Sequence, residues 1–250
     1  MTNLVIDIGN SFTKTAFFDN TELLESEVHD TFTISTAKQL LDKHAVDGAI
    51  MSSVKSFDSD ATSVLQDKCF FIELNHQTPV PVKNLYQSPE TLGMDRLAGV
   101  TGASAFFPGK NVLVVDAGTC ITFDIVTDKK EYLGGSISPG LNMRFKALNN
   151  FTGKLPFLDI TNIDYLWGKT TEESVLAGVI NGTLAETDEI INSYHRLFPE
   201  LIVVFCGGDM FFFDKKLKNK IFAFEKIVLY GLNEILKHNV QLHKNKKKAI

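Results

Sequence analysis

The sequence predicts a mixed α/β chain of two related halves with a cleft between them, divided near residue 110. Three observations carry this. The segment Leu4-Val5-Ile6-Asp7-Ile8-Gly9-Asn10-Ser11-Phe12-Thr13 returns as Leu113-Val114-Val115-Asp116-Ala117-Gly118-Thr119-Cys120-Ile121-Thr122, an offset of 109. Strand-like and helix-like patterns alternate along the chain. Leu201 to Cys206 is an unbroken apolar run, as expected of a strand buried on both faces, and it stops at Gly207-Gly208-Asp209.

Each copy of the repeat is an apolar run, then Asp-x-Gly with a small polar residue, then a second run rich in aromatic and β-branched residues, which is a hairpin signature. Glycine suits such a turn because it accepts φ > 0 and lets the backbone approach a ligand. A helix is expected around Thr36 to His44, a strand at Gly48 to Ser52, and a helix from near Met94 that ends before Pro108. The Pro108-Gly109 break then separates halves 1–110 and 111–250. The second half continues with a strand ending at Gly134-Gly135 and a helix after Pro139-Gly140. From Thr171 to about Leu197 the apolar positions Val175, Leu176, Val179, Ile180, Leu184, Ile190, Ile191 and Tyr194 recur mostly at three and four, and Thr170 with Glu173 forms a capping box. A last helix spans roughly Phe224 to His238, and Lys244, Lys246, Lys247 and Lys248 read as a solvated, frayed tail.

Composition narrows the function classes. A net charge of -5 leaves no basic face for coating nucleic acid. Cys69, Cys120 and Cys206 have neither CxxC spacing nor an even count, so reduced thiols in the cytoplasm are expected. No apolar run has bilayer-spanning length, so no membrane partner is expected. None of His29, His44, His76, His195, His238 and His243 lies in a metal-ligand spacing, which argues against a zinc hydrolase.

Two Asp-x-Gly turns facing each other across a cleft would aim backbone N–H groups at phosphates, while the carboxylates hold the cations that neutralise them; this is phosphoryl-transfer hardware. Lys14 follows the first turn closely enough to bring its ammonium back to the phosphates. Asp95 stands at a predicted helix start, where the helix dipole favours an acid. Only Arg96, Arg144 and Arg196 are arginines, and Arg96, beside Asp95, offers a planar fork for a substrate carboxylate or phosphate.

Asp7-Ile8-Gly9-Asn10-Ser11-Phe12-Thr13-Lys14 resembles the first phosphate motif of the actin-like ATPase superfamily as found in type III pantothenate kinases. Asp116-Ala117-Gly118-Thr119 resembles the second, and Gly207-Gly208-Asp209 the adenosine-end motif. Tyr86-x-x-Pro89-x-x-Leu92-Gly93-Met94-Asp95-Arg96 is similar to the substrate-binding region of that family. Gly134-Gly135-x-Ile137-x-Pro139-Gly140 and Leu155-Pro156 extend the likeness over essentially the whole chain.

The resemblance implies two RNase H-like halves of actin-like type and phosphorylation of pantothenate by ATP with Mg²⁺. Asp95 is then the general base. Residues 7–14, Thr119, Gly207 and Gly208 hold ATP, with Asp7 at Mg-ATP, and Asp116 binds K⁺ or NH₄⁺. Tyr86, Gly93, Met94, Asp95, Arg96 and Thr171 meet pantothenate, and a homodimer helps build that pocket.

The sequence departs from the family at Cys120, more often alanine, and at Met210-Phe211-Phe212-Phe213, read as core or interface aromatics or as a cradle for adenine. Two other readings are a non-catalytic regulator resembling Bvg accessory factor and a kinase of the same superfold for another small hydroxyl compound. Asp7, Asp95, Arg96 and Asp116 occurring together favour catalysis.

Overall fold

A computed structural model describes residues 1–57 and 59–248. The chain forms two compact units: Met1–Gly109 with Val126–Gly134 and the segment from Lys226 onward, and Lys110–Ile125 with Gly135–Glu225. One boundary between the units lies at Gly109/Lys110. The units are not cut once there, because the tip of one hairpin and the last helix cluster with the first.

Unit 1 is a five-stranded sheet ordered β3-β2-β1-β4-β5, comprising β1 (Thr2–Ile8), β2 (Thr13–Asp19), β3 (Glu22–His29), β4 (Gly48–Ser53) and β5 (Phe70–Glu73). β1 pairs antiparallel with β2, and β2 with β3; β4 lies parallel to β1, and β5 to β4. Alternation along β1 sends Leu4, Ile6 and Ile8 into a core shared with Phe17, Ala49 and Met51. That core is closed by Ala37 and Leu40 of α1 (Ile34–Lys43) and Ala61 and Leu65 of α2 (Ser59–Lys68). Thr33 starts α1 with a capping box to Thr36.

The opposite sheet face carries Asn3, Val5 and Asp7. There Asn3 Nδ2 donates to Asn233 Oδ1 of α7 (Ile227–Lys248) at 2.6 Å, and Asn233 Nδ2 donates to Asn20 O at 2.7 Å. This buried amide relay fixes the register of the last helix against the first hairpin. α3 (Met94–Phe106) packs along α7, and its burial on nearly all sides makes it the central helix of the unit. Their crossing depends on two glycines: a Cβ on Gly231 would run into Ala98 O, and one on Gly102 into Ile227 O. A two-residue strand, β6 (Lys83–Asn84), precedes α3.

Unit 2 repeats the plan. Its strands β7 (Val112–Ala117), β8 (Cys120–Val126), β9 (Glu131–Pro139), β10 (Ile202–Cys206) and β11 (Phe222–Ala223) are ordered β11-β10-β7-β8-β9. β10 is parallel to both β7 and β11. Read from β9, this is the order seen in unit 1, so the repeated hairpins β1–β2 and β7–β8 occupy equivalent places in the two sheets.

The core of unit 2 gathers Leu113, Val115, Phe123, Val203 and Phe205 under Leu141 and Phe145 of α4 (Leu141–Phe151), Val179 and Ile191 of α5 (Thr171–Leu197), and Met210 and Phe213 of α6 (Met210–Asp214).

Two expectations are corrected. β9 does not stop at Gly134-Gly135 but runs to Pro139: Gly135 has no side chain to collide with Phe123 O of the neighbouring β8, so the strand continues through it. The last helix starts at Ile227, three residues later than Phe224, and continues to Lys248, so the lysine run is helical rather than frayed. Asn239 donating to Pro79 O and the His243 ring 5.3 Å from that of Phe70 hold this extension, while Lys244, Lys246 and Lys247 are exposed.

The helix crossing makes Gly231→Ala a sharp probe. Overpacking typically costs about 1–3 kcal/mol, and because the clash is with backbone the variant is expected at the upper end. Urea unfolding should give that loss; a change below about 0.5 kcal/mol, typical of a neutral surface site, would contradict the crossing.

Candidate functional site

In unit 1, β1 delivers Asp7 and the hairpin returns with Lys14 directly opposite it in register. The turn between them is closed by Gly9 N–H donating to Phe12 O at 3.0 Å. Lys55 Nζ donates to Asn10 O at 3.4 Å, and Asn10, Ser11 and Phe12 are exposed at the tip. Gly9 is not at positive φ, contrary to the expectation for this turn; what it provides is room, since a Cβ would lie 3.2 Å from Phe12 O. On the other side of Asp7, Ser52 of β4 is its register partner. Ser52 is 0% exposed and its Oγ has no hydrogen-bond partner.

The segment that resembled a substrate region gathers in unit 1. Gly93 caps α3, Met94 is its first residue, and Asp95 follows with Oδ1 accepting the Arg96 N–H at 2.8 Å. A Cβ on Gly93 would lie 2.5 Å from Asp95 Oδ1, so the glycine leaves the space into which the carboxylate folds. Arg96 is only 8% exposed, and its Cζ lies 5.6 Å from the centroid of the Tyr86 ring, a cation–π distance.

Tyr86 is held in turn. Its N–H donates to Asn84 Oδ1 at 3.0 Å, and its ring stacks on buried Tyr132 with centroids 6.1 Å apart and planes 4° apart. Gly134, at φ 111°, would place a Cβ 3.3 Å from the Tyr86 ring. Tyr132 and Gly134 are supports that sequence reasoning missed. The glycine pair was visible as part of a motif, but nothing local to Tyr132 marks it.

In unit 2, Asp116 is the penultimate residue of β7 and lies opposite Cys206 of β10. The turn Gly118-Thr119 is shorter than the first, with Gly118 N–H donating to Cys120 O at 2.8 Å. Gly118, like Gly9, is not at positive φ. The positive φ falls on Gly207, at 92°, where a Cβ would collide with Ala117 O and lie 2.5 Å from Asp116 Oδ1. Asp209 N–H donates to Ala117 O at 2.9 Å, so the Gly207-Gly208-Asp209 loop is stitched to the second turn.

From the opposite end of the turn, Gly140 N–H donates to Thr119 O at 3.1 Å. The aromatic run divides: Phe213 is buried against Phe205, Phe212 packs on the core, and Phe211 is 68% exposed. Among the described residues no group of three or more His, Cys, Asp or Glu side chains comes together as a metal site.

Thr171 is the first residue of α5, exposed, and it is not the cap. Thr170 accepts the Glu173 N–H at 3.2 Å and the Glu173 carboxylate answers the Thr170 N–H at the same distance. Capping therefore does not account for Thr171. Thr170→Ala should cost about 1 kcal/mol of stability, and Thr171→Ala less than about 0.5 kcal/mol, read from thermal unfolding. Equal losses would return Thr171 to a structural role.

Burial pushes the Asp209 carboxyl up from its ordinary value. A raised folded-state value means that ionisation opposes folding above the ordinary carboxylate range, and the penalty disappears at lower pH. Asp209→Asn should thus gain stability over the unsubstituted protein near neutrality, with the gap closing as pH falls below that range; a gap independent of pH would contradict the assignment.

The family model for type III pantothenate kinase matches residues 3–193. Type III pantothenate kinases from Phocaeicola vulgatus and Christiangramia forsetii are each 46% identical, covering 96% and 95% of this chain and 100% and 98% of their own. Among solved structures, a Campylobacter jejuni protein assigned to the Baf family of transcriptional activators is 22% identical with a TM-score of 0.61, covering 95% of this chain and 99% of its own. A ROK family protein from Streptococcus pneumoniae is 13% identical with a TM-score of 0.55, covering 96% of this chain and 100% of its own. These likenesses show the actin-like fold. With a family model spanning most of its length and relatives matched end to end, the chain belongs to the type III pantothenate kinase family.

Proposed function

We propose that this enzyme transfers the γ-phosphoryl group of ATP to the primary hydroxyl of pantothenate, giving 4′-phosphopantothenate, the first step toward coenzyme A. The observation that carries the reading is the α3 N-terminus. There a carboxylate with room made for it, a nearly buried guanidinium and a buttressed tyrosine ring stand together. Asp95 accepts the proton of the attacking hydroxyl, a task that asks for a positioned carboxylate. Arg96 pairs with the pantothenate carboxylate, and Tyr86 with Gly93 and Met94 lines the acceptor pocket. Thr171 gives a hydroxyl to the same substrate.

Residues 7–14 cradle ATP phosphate, with Lys14 supplying charge opposite Asp7. Thr119 contributes its hydroxyl and N–H, and Gly207 and Gly208 meet the adenosine end. Asp7 fits Mg²⁺ on its β4 side, where the buried Ser52 hydroxyl beside it is an oxygen donor that a hydrated cation would satisfy. When bound, Mg²⁺ draws charge from the transferring phosphoryl group. Asp116, with the carbonyl-lined second turn next to it, suits a monovalent cation, K⁺ or NH₄⁺. The enzyme acts in the cytoplasm as a homodimer. No helix among the described residues is long and apolar enough to cross a membrane.

The test is formation of 4′-phosphopantothenate by the purified protein with ATP and Mg²⁺, in K⁺ and in Na⁺. K⁺-stimulated product is expected. Asp95→Asn should lower kcat by about 10²–10⁴-fold, the usual worth of a general base, with a smaller change in the pantothenate KM. A folded protein that yields no product at saturating ATP would refute the proposal.

A further inference from the structure

We propose that Arg144 and Glu186 are positioning residues for the second phosphate turn and set the affinity for ATP through Gly140. The inference rests on the reading of Thr119 as a phosphate-holding residue. Arg144 lies in the first turn of α4, where the helix dipole disfavours a cation. Its charge is met by Glu186 of α5, whose Oε1 accepts from Arg144 Nη2 at 2.8 Å in a partly buried pair. The same Nη2 donates to Ser138 Oγ at 2.7 Å, Ser138 Oγ donates to Glu186 Oε1 at 2.5 Å, and Arg144 Nε donates to Pro139 O at 2.8 Å.

One planar guanidinium thus ties the last residues of β9 and the start of α4 to α5, a geometry that an ammonium group cannot reproduce. The corner held in this way is Ser138-Pro139-Gly140, and Gly140 is its contact with the phosphate turn. Gly140 donates its N–H to Thr119 O, and a Cβ there would collide with Gly118 O and lie 2.7 Å from Thr119 O. Turn and corner touch backbone to backbone with no side chain to absorb a shift. Movement of the corner therefore moves the Thr119 peptide. None of the four polar groups is in the turn itself, so their effect reaches the ligand only through this contact.

Equilibrium dialysis of Mg²⁺-ATP against the full chain, without pantothenate, tests this independently of turnover. Arg144→Met and Glu186→Gln should each weaken ATP binding about tenfold, equivalent to about 1.4 kcal/mol. The double variant should be little worse than either single one, because the groups act as one network. Arg144→Lys should lie between Arg144→Met and the unsubstituted protein. The pantothenate KM should stay within about twofold, against the tenfold change for ATP.

ATP binding within twofold of the unsubstituted protein in all three single variants would overturn the inference. So would parallel losses of ATP affinity, pantothenate affinity and stability, which mark general loosening. If Arg144→Met does not fold, Glu186→Gln, which keeps shape and an oxygen acceptor, decides the matter. A protein that binds Mg²⁺-ATP but leaves pantothenate unmodified would sink the proposed function while leaving the comparison of variants valid.

Discussion

Backbone-to-backbone contact that only glycine permits is the constraint on which the site depends. At Gly207 and Gly140 a methyl group would collide with carbonyls of the turn at residues 117–119. At Gly102 and Gly231 it would separate α3 from α7. Such contacts have no soft side chain between them, so the packing of one element is transmitted directly to the next. Within unit 1 the sequence of dependence runs from the Asn3–Asn233 amide relay, which sets α7, through the glycine crossing, which sets α3, to Asp95 and Arg96 at its first turn.

The two units apply one plan to different ends. Equivalent hairpins bring Asp7 and Asp116 to the ends of equivalent strands, yet their surroundings diverge. Asp7 sits between a lysine and a buried hydroxyl, whereas Asp116 lies beneath a glycine at positive φ that has no room for a side chain. The first turn is longer and held by Lys55; the second is shorter and clamped from both sides by backbone. Duplicated strands thus carry turns that differ in length, charge and the way they are held.

What the sequence made legible was local. The repeat announced both hairpins, the period of three and four announced α5 with its capping box, and the Gly93 to Arg96 string announced the helix start that carries the acid. What escaped depends on contacts between residues distant in sequence. Gly9 and Gly118 looked like left-handed turn positions, but the strained angle fell on Gly207, which packs against a turn about ninety residues earlier. Gly134-Gly135 looked like a strand end because glycine usually weakens a strand, whereas one glycine admits the Tyr86 ring and the other a neighbouring carbonyl. The lysine run looked frayed because its anchors, Pro79 and Phe70, belong to another part of the chain. Tyr132 and the Arg144–Glu186 pair carried no local mark at all.

The central claim is that glycine-only contacts shape the turn at residues 117–119, the turn proposed to hold ATP, and Gly207→Ala tests it most directly. Gly178→Ala, where a Cβ meets nothing within 4 Å, serves as the control. Binding of Mg²⁺-ATP measured by titration calorimetry should fall at least about tenfold in Gly207→Ala, equivalent to about 1.4 kcal/mol, and remain unchanged in the control. Wild-type affinity in a folded Gly207→Ala protein would contradict the account.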